Sequence, residues 1–171
     1  MTDTQLLVDQ RWYLIHCKPR QDERALENLQ RQAFECYRPV RYVERCRDGR
    51  TYEVAESLFG GYVFVRLACR TANWQAIRST RGVLQIVRFN EYPLPVPDEL
   101  IEQIRKRLSD PAPHESYLKP GQRVRIIEGA FAQLEAIFLA NDGNQRVVLL
   151  LSILQTEQRL TFPLKSVRNV S

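Results

Sequence analysis

From residue 11 to residue 17 the chain alternates: Trp12, Leu14 and His16 fall on one side, Tyr13, Ile15 and Cys17 on the other. That two-residue period predicts a β-strand, which Pro19 ends. Between residues 21 and 34 the period becomes helical. Leu26, Leu29 and Ala33 share one face, and Asp22 and Glu23 stand in the first turn, where the helix dipole favours acids. Residues 40–46 and 51–56 flank Asp48-Gly49, a pair that tolerates positive φ at both turn positions and so predicts a tight hairpin. Residues 58–67 read as a glycine-punctuated turn followed by a strand. Residues 71–79 read as a short helix anchored by Trp74 and Ile77, and residues 83–89 as a strand. Pro93, Pro95 and Pro97 make an extended stretch. Asp98 then opens a helix over residues 99–108, with Leu100, Ile101, Ile104 and Leu108 on one stripe. The order β-α-β-β-β-α-β-α predicts an α+β domain over residues 10–108, an antiparallel sheet with flanking helices.

Residues 109–117 are polar, proline-rich and unpatterned, and read as a linker. Residues 118–171 form a second unit, small for an independent core. Its pattern supports two readings. Residues 123–127 alternate like a strand, and Gly129, Asp142-Gly143 and Pro163 punctuate like a small barrel. Yet residues 130–140 are strong helix formers, with Phe131, Leu134 and Phe138 at helical spacing, and residues 146–160 contain neither glycine nor proline. Periodicity leaves strand and helix open for that apolar block.

Composition narrows the class. Of 171 residues, 44% are hydrophobic and 26% charged, which suits a globular chain. No apolar run approaches the ~20 residues a membrane span needs. The first ten residues carry Asp3 and Asp9 rather than a basic-then-apolar signal pattern. The expectation is a cytoplasmic monomer with no membrane association. Cys17, Cys36, Cys46 and Cys69 have no C-x-x-C spacing, and His16 and His114 lie far apart, so free thiols are expected and no metal or cofactor. The chain has no nucleophile elbow and no phosphate loop, and Gly60-Gly61 alone is too little for one. A non-enzymatic protein is expected. The net charge of +5 favours encounter with nucleic acid without establishing it.

Three stretches together resemble the NusG family of transcription elongation factors. They are Trp12-Tyr13 followed by Cys17-Lys18 and a helix, LFGGYVFV at residues 58–65, and STRGVLQIVRF at residues 79–89. The second unit resembles the family's KOW domain at Gly121, Val124, Gly129, Phe131 and the approach to Val167. The resemblance is closest to the operon-specific, RfaH-like branch. It implies a factor that binds the clamp helices of the largest RNA polymerase subunit, touches non-template DNA, and suppresses pausing and termination. His16, Phe59, Tyr62 and Phe64 match the clamp-helix pocket. Lys18, Arg24, Arg31, Gln32, Thr80 and Arg81 match positions facing DNA; Arg and Lys can hold phosphates or guanine, and Gln can read adenine. Asn28 stands where the branch has a DNA-reading histidine, and residues 73–76 where it has a polymerase gate-loop contact.

The same resemblance implies a second unit docked at rest as an α-helical hairpin and released as an SH3-like β-barrel. Glu56 and Arg146 match an interdomain ion pair, with Phe131, Phe138, Leu150 and Leu154 covering the pocket. Reversing both charges of the pair is expected to preserve closure. In the released barrel, Ile153 and Leu154 match an apolar edge that contacts a small-subunit ribosomal protein. Missing helix breakers at Ala130, Ala136, Gln155 and Arg159 favour this reading, since an interior Gly or Pro costs ~1 or ~3 kcal/mol relative to Ala. The alternatives are a housekeeping NusG-like factor and a ribosomal or other RNA-binding KOW protein.

Overall fold

Strand β1 (Gln10–Cys17) forms where the alternation places it and sits inside a five-stranded antiparallel sheet. The order is β2 (Glu35–Tyr37), β5 (Tyr62–Ala68), β1, β6 (Val83–Ile86), and β9 (Pro95–Val96) also pairs with β1. Two further ribbons stand apart from this sheet: β3 (Val40–Arg47) with β4 (Arg50–Ser57), and β7 (Arg88–Phe89) with β8 (Tyr92–Pro93). The computed structural model describes residues 10–69, 72–109 and 134–161, the last three as backbone alone.

The sheet is buried on both faces. Tyr13, Ile15, Cys17, Val63, Val65 and Leu67 meet Ala25 and Leu29 of helix α1 (Asp22–Arg31) and Ile77 of helix α2 (Trp74–Arg78). Trp12, Leu14 and Phe64 form the other side. There they join Leu94, Val96 and the Leu100, Ile101 and Ile104 stripe of helix α3 (Asp98–Ser109). Helices α4 (Leu134–Leu139) and α5 (Gly143–Thr161) complete this second cluster with Leu134, Ile137, Phe138, Val147, Leu150, Ile153 and Leu154. The described part of the second unit is therefore helical and shares one core with the first.

Several elements differ from their sequence-based bounds. Helix α1 stops at Arg31, not residue 34. Ala33 adopts φ +68, and the amides of Ala33 and Phe34 donate to the carbonyls of Gln30 and Leu29, a Schellman closure made without glycine. The freed chain then supplies β2, which no pattern announced. The strand expected over residues 83–89 breaks at Val87, whose amide donates to the Leu14 carbonyl (3.0 Å). Ser109 belongs to α3 rather than the linker. The rest of that linker, the strand expected at residues 123–127, and Phe131 lie outside the described residues. Asp48 and Gly49 both take positive φ, as the hairpin turn requires.

Candidate functional site

Phe59, Tyr62 and Phe64 come together because Gly61, at φ +84, turns the chain sharply into β5. Phe59 and Phe64 meet edge to face at 6.0 Å, and both are buried. Tyr62 is half-buried and stacks on His16, rings nearly parallel at 4.6 Å. Burial pushes the Tyr62 hydroxyl above its ordinary pKa, with Cys17 adding to the shift. His16, Tyr62, Arg78, Gln85, Arg88 and Leu151 line an open cleft of about 580 Å³ at the margin of α5.

The pocket is covered. Phe138, Leu150 and Leu154 lie in the same cluster as Phe59 and Phe64. Ile153 and Leu154 are fully buried, so in this arrangement they present no exposed edge. Burying a side chain such as Leu, Ile or Phe contributes about 1.5–3 kcal/mol. The cover is therefore held mainly by apolar area, and polar contacts bias it.

The strongest polar bias is Arg146, whose side chain is fully buried. Its Nε donates to the Leu58 carbonyl (2.6 Å) and its Nη1 to the Ala140 carbonyl (2.8 Å). Nη2 lies 3.7 Å from Glu56 Oε2, too far for a hydrogen bond, and has no hydrogen-bond partner among the described residues. Glu56 is shared: Arg41 Nε donates to it at 3.1 Å and Arg45 Nη2 lies at 3.6 Å. Burial, and then Arg41, holds the Arg146 guanidinium below its ordinary pKa, while Glu56 and Asp142 oppose the shift. This geometry corrects the charge-reversal expectation. A glutamate at 146 would have no proton for the carbonyls of Leu58 and Ala140, so the doubly reversed pair loses both buried bonds.

The basic set gathers on α1 and the turn before β6. Lys18, Arg24, Arg31, Gln32 and Arg81 are exposed. Gly82 brings the turn against the helix: it has φ +94, and a Cβ there would meet Ala25 N and Gln21 O at 2.9 Å. Asn28 organises the surface. Its Nδ2 donates to the carbonyls of Arg24 (2.9 Å) and Arg81 (3.4 Å), and its Oδ1 accepts from Arg31 Nη1 (3.4 Å). Thr80 departs from the exposed role expected of it. It is buried, its hydroxyl accepts from Gln32 Nε2 (2.8 Å) and donates to the Ala76 carbonyl (2.7 Å), and so it positions Gln32.

Sequence reasoning missed two fasteners. Asp22 Oδ2 accepts from Ser57 Oγ (2.6 Å) and Arg38 Nε (3.1 Å), tying the base of the β3–β4 ribbon to the start of α1. Arg107 grips Glu135 with two bonds of 2.7 Å, joining α3 to α4. Neither pair has a local spacing signal. Asn73, at the position matched to the gate-loop contact, caps α2 by accepting from Ala76 N (3.0 Å), and Trp74 packs edge-on against Tyr13. Among the described residues no cluster of His, Cys, Asp or Glu is placed to hold a metal ion, and no helix is long and apolar enough to cross a membrane. Burial pushes the Cys17 and Cys36 thiols up to about 12.

Residues 10–105 match the family model described as transcription termination factor nusG. A transcription termination/antitermination protein NusG from Campylobacter jejuni is 30% identical over 140 residues, covering 74% of this chain and 78% of that protein. Its counterpart in Pseudomonas aeruginosa is 24% identical over 141 residues, covering 74% and 79%. That of Escherichia coli K12 is 26% identical over 141 residues, covering 74% and 77%. A solved structure described as domain interaction in Thermotoga maritima NusG superposes with a TM-score of 0.42 at 22% identity, over 68% of this chain and 69% of that one.

Proposed function

Because this chain belongs to the NusG family of transcription elongation and termination factors, we propose that it is an operon-specific antitermination factor of the RfaH kind, closed at rest. In this reading it binds the clamp helices of RNA polymerase through Phe59, Tyr62 and Phe64, with His16 as the wall of the pocket. Lys18, Arg24, Arg31, Gln32 and Arg81 hold the non-template strand of a paused complex. Bridging these two partners suppresses pausing and termination. The observation that carries the reading is the cover: α4 and α5 bury the aromatic pocket, and Arg146 is inserted beneath the ribbon that bears Glu56. Undocking frees Ile153 and Leu154, and residues 118–171, released as a barrel, contact a small-subunit ribosomal protein.

The test is capture of polymerase clamp helices without DNA. Glu56→Arg adds a third cation beside Arg41 and Arg45 and faces Arg146, so it opens the cover and should raise capture at least tenfold. Adding Tyr62→Ala should abolish the gain, since truncating a central aromatic anchor typically costs ~2 kcal/mol or more. Tyr62 is the better probe because Phe64 is fully buried and Phe64→Ala would cost about 3–5 kcal/mol of fold stability. Strong capture by the wild-type chain without DNA, equal to that of Glu56→Arg, sinks the closed-state reading and favours a housekeeping factor.

A further inference from the structure

We infer that the β3–β4 ribbon is a second DNA-contacting element, whose arginine face lies along the phosphates of duplex DNA. The register sets the faces. Opposite pairs Arg41/Glu56, Val43/Val54, Arg45/Tyr52 and Arg47/Arg50 share one side; Tyr42/Ala55, Glu44/Glu53 and Cys46/Thr51 share the other. The first side thus carries four guanidiniums and one carboxylate, and that carboxylate also faces Arg146. The second side carries two carboxylates and no cation. Like charges directly opposite one another destabilise a ribbon. Here they occur twice, at Arg47/Arg50 and Glu44/Glu53, so charge is sorted by face at a cost in local stability. A polyanion against the arginine side offsets that cost.

The ribbon is free to act. None of its residues from 42 to 55 belongs to either hydrophobic cluster, and Tyr52 and Val54 are exposed between the arginines. Arg41 and Arg45 are tied to Glu56, whereas Arg47 and Arg50 form no ion pair among the described residues. The tip is therefore the part with most charge to offer. Eight residues at about 3.4 Å each give a reach of about 27 Å, and a two-stranded ribbon fits the major groove of B-DNA. Arginines with no fixed base partner hold phosphates rather than read sequence. The base of the ribbon is fastened to the first residue of α1 through Asp22, Ser57 and Arg38. The base of the ribbon and the start of α1 are accordingly tied together.

This inference does not depend on polymerase, and its test uses the intact chain with DNA alone. Binding to a fluorescein-labelled duplex of about 20 base pairs is followed by anisotropy between about 50 and 200 mM salt, the range over which phosphate contacts change affinity most visibly. Each lost phosphate contact lowers the slope of log affinity against log salt by about 0.9, so Arg47→Ala with Arg50→Ala should lower it by about 1.8. The double variant removes a like-charge pair at an exposed tip and should keep its circular dichroism spectrum. Glu44→Gln with Glu53→Gln, on the opposite face, should leave the slope unchanged. An unchanged slope in the arginine variant overturns the inference and leaves a solvated ribbon. A slope lost on an RNA stem but kept on the DNA duplex overturns it in favour of RNA.

Discussion

Asp22 shows how one side chain can serve two elements. Burial alone would raise its carboxyl pKa, but hydrogen bonds from Ser57 and Arg38 outweigh that and hold it below the ordinary value of 3.8. A depressed carboxylate stabilises the fold fully above its unfolded pKa. The contribution falls as pH drops through that value and is gone below the folded pKa. Acid titration of the intact protein should therefore show stability declining from about pH 5 downward. In Asp22→Asn this component of the decline should disappear, and stability at neutral pH should fall by about 1.5–3 kcal/mol, the usual worth of a hydrogen bond to a charged group. Chemical denaturation at several pH values checks both. A wild-type curve flat below pH 5 would remove Asp22 as the fastener. The residue was legible only as a helix-start acid; its partners lie 16 and 35 positions away, beyond any local pattern.

The helical cover is held at two places with different chemistry. Arg107 and Glu135 meet in a bidentate fork, the strong form of a carboxylate–guanidinium pair. Glu135 is 46% exposed, so solvent screening limits the pair to a coupling of about 1 kcal/mol in a double-mutant cycle. At the other end Leu150 is fully buried against the pocket. Leu150→Ala should cost about 2–5 kcal/mol of docking. Hydrogen exchange should then speed in α4 and α5 while β1 and β5 stay protected. Uniform loss of protection would mean that the cover and the sheet unfold as one unit. The helical competence of residues 134–140 and 146–160 was readable from the absence of breakers, whereas Gly143, which opens α5, read as punctuation. The early end of α1 and the strand β2 were not readable, because Ala33 takes the left-handed conformation without the glycine that usually signals it.

One core spans both units, so opening the cover removes apolar neighbours from the cluster that holds Trp12. Trp12 is buried there, whereas Trp74 lies on the opposite side against Tyr13. Glu56→Arg should therefore shift tryptophan emission to the red through Trp12 alone, and Trp12→Phe in that background should abolish the shift. Emission unchanged by Glu56→Arg would mean that apolar burial keeps the cover closed without the carboxylate. The Arg146 bond to the Leu58 carbonyl makes that a real competitor, since it ties the cover to the first unit and survives the substitution.

Alternation placed β1, glycine punctuation announced β5, Asp48-Gly49 closed the ribbon, and the motif series announced the family, because each of these rests on backbone preferences or side-chain periods only a few residues long. The state of the apolar block near the C-terminus was beyond that reach. Its residues suit either a strand or a helix, and the two differ by what else is available to bury them. The sheet face formed by Trp12, Leu14, Phe59 and Phe64 supplies that surface. Docked on it, the block gains helical hydrogen bonds and apolar burial together, and free energy drawn from such distant partners leaves no trace in local sequence.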